Sequence, residues 1–350
     1  MSVIDEIAQR TGCSLTTIRR VLRGGNKEVW SGTAERAERI RQVARDLGFL
    51  PNASAAAVKN GRFNAVLLVL STERGRCYLP EALLHSLCSA LEAAGQHLVI
   101  GRFSDEALTS PASLPTFLSR WSCDGALVNY TDRFPSHIND LLCQYRIPSI
   151  WMNAPFDVDC VKYDERRGGR DATRLLLEKG HRRIVYIDLR HESDHEVHYS
   201  AALRLAGYQD AMREAGLQPH PALELGDLGG SAQIERLANT LRGEERATGI
   251  VTYDRAERIL LAAAVAGLQV PRDLSIVTFG DGHSEYAGIS VTQMALPYEK
   301  AGRTAVSLLM EKIDQSGKGM AVKPLALCVV PGETCSIPPR KTRSTHETRH

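Results

Sequence analysis

The chain of 350 residues is expected to be an α/β protein, with a small all-α helix-turn-helix head followed by two lobes of parallel sheet. Three observations lead there. From residue 64 the apolar pattern changes from helical spacing to short continuous runs alternating with amphipathic segments. That alternation restarts after Tyr163, so two comparable units lie in tandem. Charge is also unevenly placed: residues 1–62 hold eleven Lys and Arg against six Asp and Glu, and the remainder holds 32 against 35. A basic head on a slightly acidic body suggests that the head meets a polyanion and the body does not.

The length exceeds what one hydrophobic core usually fills, so two or three domains are expected. The expected segments are a head over 1–48, a connecting segment over 49–62, a core over 63–338 and a disordered tail over 339–350, where "RKTRSTHETRH" has no apolar pattern. Eight cysteines are scattered without a CxxC pair, in a chain too large to need stapling, which points to reduced thiols in a cytoplasmic protein. The N-terminal residues lack a basic-then-apolar leader, and no run approaches the length of a membrane span, so neither secretion nor a membrane is expected.

In the head, Ser2 can cap a helix with Val3, Ile4, Ile7 and Ala8 on one face. Gly12 offers the left-handed turn, and Ser14 caps a second helix in which Leu15, Ile18, Val21 and Leu22 repeat at three- and four-residue steps. A small residue at the crossing, glycine in the turn and a branched aliphatic in the second helix make the helix-turn-helix spacing. The outward residues are Thr16, Thr17, Arg19, Arg20 and Arg23, whose hydroxyls and guanidinium forks suit phosphate oxygens and guanine edges. Bases are usually read near the start of such a helix. Leu15, Thr16 and Arg20 are therefore expected at bases, and Ser14, Thr17 and Arg19 at phosphates. A generic helical hairpin with a solvated basic face would show the same periodicity, but the residues downstream argue against it. A third helix is expected over residues 33–47, ended by Gly48. Then Pro51 and Asn52 precede an Ala-rich segment running to Lys59. A helix of about seven residues is marginal in water, so it would form only with DNA and a partner chain.

In the body, "AVLLVLS", "HLVIGRF", "DGALVNY" and "PSIWMN" read as buried parallel strands separated by helices, one of them around residues 114–121. After Tyr163 come a helix from "GGRDATRLLLEKG", a strand "RIVYIDL", a helix through "SAALRLAGYQDAMREAG", "ATGIVTYD", a helix near residues 255–266 and "LSIVTFGD". Ligands of such lobes sit at the carboxyl ends of the strands. There lie Ser71 and Thr72, Asn129 and Tyr130, Asn153, Asp188, Tyr253 and Asp254, and Asp281, which suit a polyhydroxyl ligand or a heterocycle. No nucleophile elbow, phosphate loop, zinc-protease or dinucleotide motif occurs, so neither an enzyme nor a cofactor is expected. His191, Asp194, His195 and His198 have zinc-like spacing but follow a strand, and a solvated loop is the preferred reading.

Together, "IDEIAQRTGCSLTTIRRVLRGG", "LGFLPNASAAAVK", "DERRGGRDATRLLLEKGHRRI", "LRLAGY", "VPRDLSIVTFGD" and "MALPYEKAG" resemble the lactose-repressor (LacI/GalR) family of transcription regulators, over a span reaching about Pro338. The resemblance implies a periplasmic-binding-protein-like core that binds a small effector and forms a homodimer or larger oligomer. The expected lobes are about 63–162 with 292–325, and about 163–291 with 326–338. It also implies a head gripping a half-site of double-stranded operator DNA. Leu15, Thr16 and Arg20 fall on base-reading positions, and Asn52 on a phosphate contact of the hinge. Val58 takes the wedge position, where leucine is usual. Effector positions fall on or beside Ser71, Asn129, Asn153, Tyr163, Arg204, Tyr253, Asp281 and Tyr298. Arg204 carries most weight, as the one cation on an otherwise apolar stretch, suited to fork onto a ligand hydroxyl or carboxylate. Gly280 with Asp281 replaces a usual Asp-Asp, and Tyr253 with Asp254 a usual Asn-Asp, which argues against a familiar sugar. The expected function is that of a repressor whose operator affinity responds to the effector. The alternatives are a solute receptor without DNA activity, or a sugar- or nucleoside-processing enzyme on the same lobes.

Overall fold

Ser2 sets the start of α1 (Val3–Thr11): its hydroxyl accepts from the Asp5 amide at 3.3 Å, and the Asp5 carboxylate accepts from the Ser2 amide at 2.9 Å. Two amides at the open helix end are thereby satisfied reciprocally. Gly12 ends α1 in the left-handed conformation, φ +66°, which lets its amide close back on the Ala8 carbonyl. Ser14 then starts α2 (Leu15–Leu22), its hydroxyl accepting from the Thr17 amide at 3.3 Å. The third helix, α3 (Ser31–Asp46), begins two residues before the expected start and stops ahead of Gly48. Ile7, Ile18, Val21, Ala37, Ile40 and Ala44 form the buried core of this bundle, with Ala8 packed against it. Burying each large aliphatic side chain contributes roughly 1.5–3 kcal/mol.

The computed structural model describes residues 2–22, 31–49, 62–73, 76–104, 106, 123–130, 136–189, 198–224, 229–243, 246–315, 319–321 and 323–339. Arg23, Asn52, Val58, the expected helix around 114–121, the segment 190–197 and residues 340–350 lie outside them. Two units separate, residues 1–63 and 64–350. Among the described residues, no helix is long and apolar enough to cross a membrane.

The second unit holds two sheets. The first contains β1 (Ala65–Ser71), β2 (His97–Phe103), β3 (Gly125–Asn129), β4 (Ser149–Met152) and β5 (Cys160–Val161) in the order β2-β1-β3-β4-β5. All its pairings are parallel, with Leu68 opposite both Ile100 and Leu127. β1 is buried at every position because both faces are covered, which explains its unbroken apolar run. Helices α4 (Glu81–Ala93) and α5 (Ser136–Gln144) connect these strands.

The second sheet follows α6 (Glu165–Glu178) and consists of β6 (Ile184–Asp188), β7 (Leu223–Glu224), β8 (Gly249–Thr252), β9 (Ser275–Gly280) and two later strands. Helices α7 (Ser200–Glu214), α8 (Gly230–Thr240) and α9 (Ala256–Val265) link them. A hairpin, β10 (Glu285–Tyr286) with β11 (Ile289–Ser290), stands apart. β12 (Thr292–Ala295) then pairs parallel with β9, so the expected first-lobe segment beginning at 292 starts one strand too early. The chain returns to the first lobe only with α10 (Tyr298–Asp314), which packs on α4, β3, β4 and β5. It crosses back beside Leu325, whose amide donates to the Lys162 carbonyl and whose carbonyl accepts from the Asp164 amide, 2.9 and 2.8 Å. β13 (Cys328–Val330) closes the second sheet antiparallel to β12, an exception to the expected parallel pairing.

Candidate functional site

In the head unit, Leu15, Thr16, Arg19 and Arg20 are exposed along one side of α2, while Ile18 and Val21 face the core. Ser14 and Thr17 are partly occupied with each other, their hydroxyls 2.9 Å apart, with the Ser14 oxygen also capping the helix. Arg19 lies near enough to α1 that its charge helps hold the Asp5 carboxyl low, after the larger effect of the Ser2 bonds. Beside the α2 N-terminus, Arg36 and Arg39 of α3 line one polar groove with Gly12, Ser14 and Thr17. Sequence reading missed both arginines, since a charged outer helix face looks like ordinary solvation. A helix N-terminus flanked by guanidinium groups suits a phosphate oxygen.

In the second unit, Asn129, Tyr163 and Tyr298 are joined through Tyr78, and Asn153, Tyr253 and Arg204 through His198, Tyr199 and Ser200. Ser71, by contrast, bonds to Cys77, Glu73 and Arg102, and the exposed Asp281 to the His283 amide. Asn129 donates from Nδ2 to the Tyr78 carbonyl at 3.0 Å, and the Ser71 amide donates to Sγ of Cys77 at 2.9 Å. The Tyr78 ring meets Tyr298 edge-on with centroids 6.5 Å apart, and Tyr298 meets Tyr163 at 5.9 Å. From the second lobe, Tyr199 donates to Oδ1 of Asn153 at 2.9 Å, and Nε2 of His198 lies 3.2 Å from the Asn153 carbonyl. A carbonyl only accepts, so Nε2 carries the hydrogen. Nδ1 of His198 is then the acceptor for the Ser200 amide at 3.3 Å and the Ser200 hydroxyl at 2.7 Å. The Tyr253 hydroxyl continues the chain to Ser200 Oγ at 2.7 Å. Asn153 sits at φ +55°, a left-handed conformation that asparagine tolerates, and so turns its amide across the lobes.

Arg204 is engaged with protein groups from both sides. Its Nε donates to Oε2 of Glu165 at 2.6 Å, with both side chains almost fully buried, and Nη1 reaches the Tyr253 carbonyl at 3.4 Å. The guanidinium is sandwiched between Tyr253 and Phe279, 4.6 and 4.1 Å from the ring centroids. Glu165 thus takes the Nε side, which leaves the Nη edge of an already paired guanidinium for a ligand hydroxyl or carboxylate. Burial opposes the charge of Arg204, but Glu165 and the phenol of Tyr253 hold its pKa above the ordinary value. Burial also raises Tyr163, Tyr199 and Tyr298, with Glu165 adding to each, so these phenols stay neutral. Tyr78 is raised by burial and by Asp281, which is itself exposed and accepts from the His283 amide at 3.0 Å.

Tyr78, Glu165, His198, Tyr199 and Ser200 belong to these networks and were not singled out as effector residues from sequence. Only His198 carried a signal, as part of a possible metal cluster. His191, Asp194 and His195 lie outside the described residues, and among the described residues no metal-binding group forms. His198 is engaged with Asn153 and Ser200.

A family model described as a periplasmic binding protein-like domain matches residues 173–335. The transcriptional regulator GntR of Pseudomonas aeruginosa is 25% identical over 324 residues, covering 89% of each chain. The transcriptional repressor PurR of Klebsiella pneumoniae is 26% identical, covering 89% of this chain and 91% of that one. Among solved structures, the Lac repressor dimer bound to operator and the anti-inducer ONPF superposes with a TM-score of 0.74 at 18% identity, covering 96% of this chain and 99% of that one.

Proposed function

We propose that this chain is a member of the lactose-repressor (LacI/GalR) family of transcription regulators, to whose regulators it is similar over about nine-tenths of its length, and that it works as follows. It is a transcriptional repressor with an effector-binding core. Two copies act together, each placing Leu15, Thr16 and Arg20 of α2 against the base edges of one operator half-site. Ser14, Thr17, Arg19, Arg36 and Arg39 hold the flanking phosphates, and Asn52 and Val58 complete the grip at the minor groove. A small effector occupies the cleft bounded by Ser71, Asn129, Asn153, Tyr163, Arg204, Tyr253, Asp281 and Tyr298. Its binding shifts the population of lobe arrangements, and through linkage the operator affinity.

The observation that carries this reading is the coexistence in one chain of an exposed hydroxyl-and-guanidinium helix face and a convergent set of phenols, amides and one buried ion pair. Neither a solute receptor nor an enzyme needs the former. The test is genome-wide mapping of bound DNA, followed by competition with metabolites of the pathways encoded beside the bound sites. Discrete palindromic sites released or tightened by one metabolite are expected. Uniform binding to all fragments, or none at low ionic strength, overturns the proposal.

A further inference from the structure

Resting on the cleft as the effector site, we propose that Glu165 sets its charge specificity: by neutralising Arg204 it reserves the cleft for an uncharged effector and excludes carboxylates and phosphates. Glu165 opens α6 directly after Asp164, whose side chain accepts from the Arg167 amide and caps the helix. The Glu165 carboxylate is fully enclosed and gives Oε2 to Arg204 at 2.6 Å, while Oε1 has no hydrogen-bond partner among the described residues. A buried carboxylate is tolerated only next to a compensating cation. Arg204 supplies that cation, so its charge is already committed.

The guanidinium is not able to swing from Glu165 to a ligand. Its two faces are held by the Tyr253 and Phe279 rings. Its backbone is fixed where α6 and α7 cross on Gly169 and Gly207: a Cβ on Gly169 would enter the Arg204 backbone, and one on Gly207 the Arg166 carbonyl. Among the described residues, the other cations near these strand ends are engaged with protein groups: Arg102 donates to the Ser71 and Thr72 carbonyls at 3.2 and 3.0 Å, Arg76 pairs with Glu73 at 3.0 Å, and Arg255 lies 4.0 Å from Asp254. Tyr163, Tyr199 and Tyr298 are neutral phenols, and Asp281 adds negative charge near Tyr78 and Tyr298. Lys162, the nearest lysine in sequence, is paired with Asp157 at 2.7 Å. An entering anion would lose its hydration shell beside a guanidinium whose charge Glu165 already balances and near the negative Asp281, and that cost disfavours it. A ligand bearing hydroxyl or ring N–H groups meets phenols, amides and a neutral imidazole instead.

The experiment uses the full chain and paired probes: glucose with gluconate, ribose with ribonate, and acetate and inorganic phosphate as minimal anions. Calorimetry and melting are read against chloride at matched ionic strength. In the wild type no anion should bind or raise the melting temperature beyond the chloride control. Glu165→Gln leaves the guanidinium uncompensated. It should gain acetate-dependent stabilisation and bind anions tighter by about tenfold or more, the scale of one charge-assisted hydrogen bond. Adding Arg204→Met should abolish that gain. A wild type that binds either aldonate as tightly as its aldose overturns the proposal, as does a Glu165→Gln variant with the wild-type anion response. If Glu165→Gln does not fold, the wild-type anion response decides alone: none supports the proposal, and any binding overturns it. The readouts also separate from the regulator reading. An aldonate that binds and releases operator sinks the charge selectivity but leaves the regulator standing. Absence of all DNA binding does the reverse, because the calorimetric result is untouched.

Discussion

Arg20 stands exposed on α2, whereas Arg204 is enclosed between two rings with a carboxylate 2.6 Å away. The contrast sets their expected mutational behaviour. Arg20→Ala should leave stability nearly unchanged and weaken binding to the cognate site by about 1–3 kcal/mol if Arg20 reads a guanine. Gel-shift competition against scrambled DNA checks this, and equal losses on both would reassign it to a phosphate. Arg204→Met should destabilise by about 3–5 kcal/mol, because it strands a buried carboxylate. In urea unfolding, the double variant with Glu165→Leu should lose less than the single one. Sequence reading found Arg204 because a lone cation in "LRLAG" is conspicuous. It missed Glu165, which lies 39 positions earlier at a helix start. An acidic residue is ordinary there, since it faces the positive end of the helix dipole.

Elements were easiest to anticipate where both the period and the stop signal were strong. α1 and α2 follow from apolar spacing with Ser2, Gly12 and Ser14 as punctuation, and β1 from an unbroken apolar run. No helix was expected over α8, whose Gly-Gly-Ser opening reads as a loop although Leu237 and Ala238 are buried. Two-residue strands such as β5 and β7 hold no period at all. At this scale the α6–α7 contact is the tightest feature. Gly207→Ala should force the two helices apart and lower the melting temperature, whereas Ala at exposed Gly230 should not. His181, between α6 and β6, ties the C-terminal segment to the second lobe. It lies 3.0 Å from Thr248 Oγ1 through Nδ1 and 2.9 Å from the Ser336 carbonyl through Nε2. Burial lowers its pKa from 6.5, with nearby Lys179 acting in the same direction and the Ser336 bond opposing. The unfolded chain therefore takes up the proton first. The His181 contribution is full above about pH 6.5 and is lost as pH falls through the lower folded value. Thermal melts from pH 8 to 5 should show this decline, and His181→Gln should flatten it.

For the molecule as a whole, the tandem α/β pattern was readable but the return crossing was misplaced by one strand. Thr292–Ala295 is a short stretch of mixed polarity with no pattern that assigns it to either sheet, and only its pairing with β9 decides. The two units also have separate cores, with the head resting on six buried residues. Scanning calorimetry should therefore resolve two transitions, the lower one assigned to the head by its loss in a fragment spanning 64–350. An effector should raise only the upper one. The interleaved route of the chain also governs the order of its birth. The sheet of the first lobe is complete at Val161, yet its covering helix, Tyr298–Asp314, is translated only after nearly all of the second lobe. On the ribosome, the faces later met by Ala305, Val306 and Leu309 stay bare throughout that interval. The nascent chain thus depends on chaperone cover or rapid elongation while its first sheet is made but not yet covered.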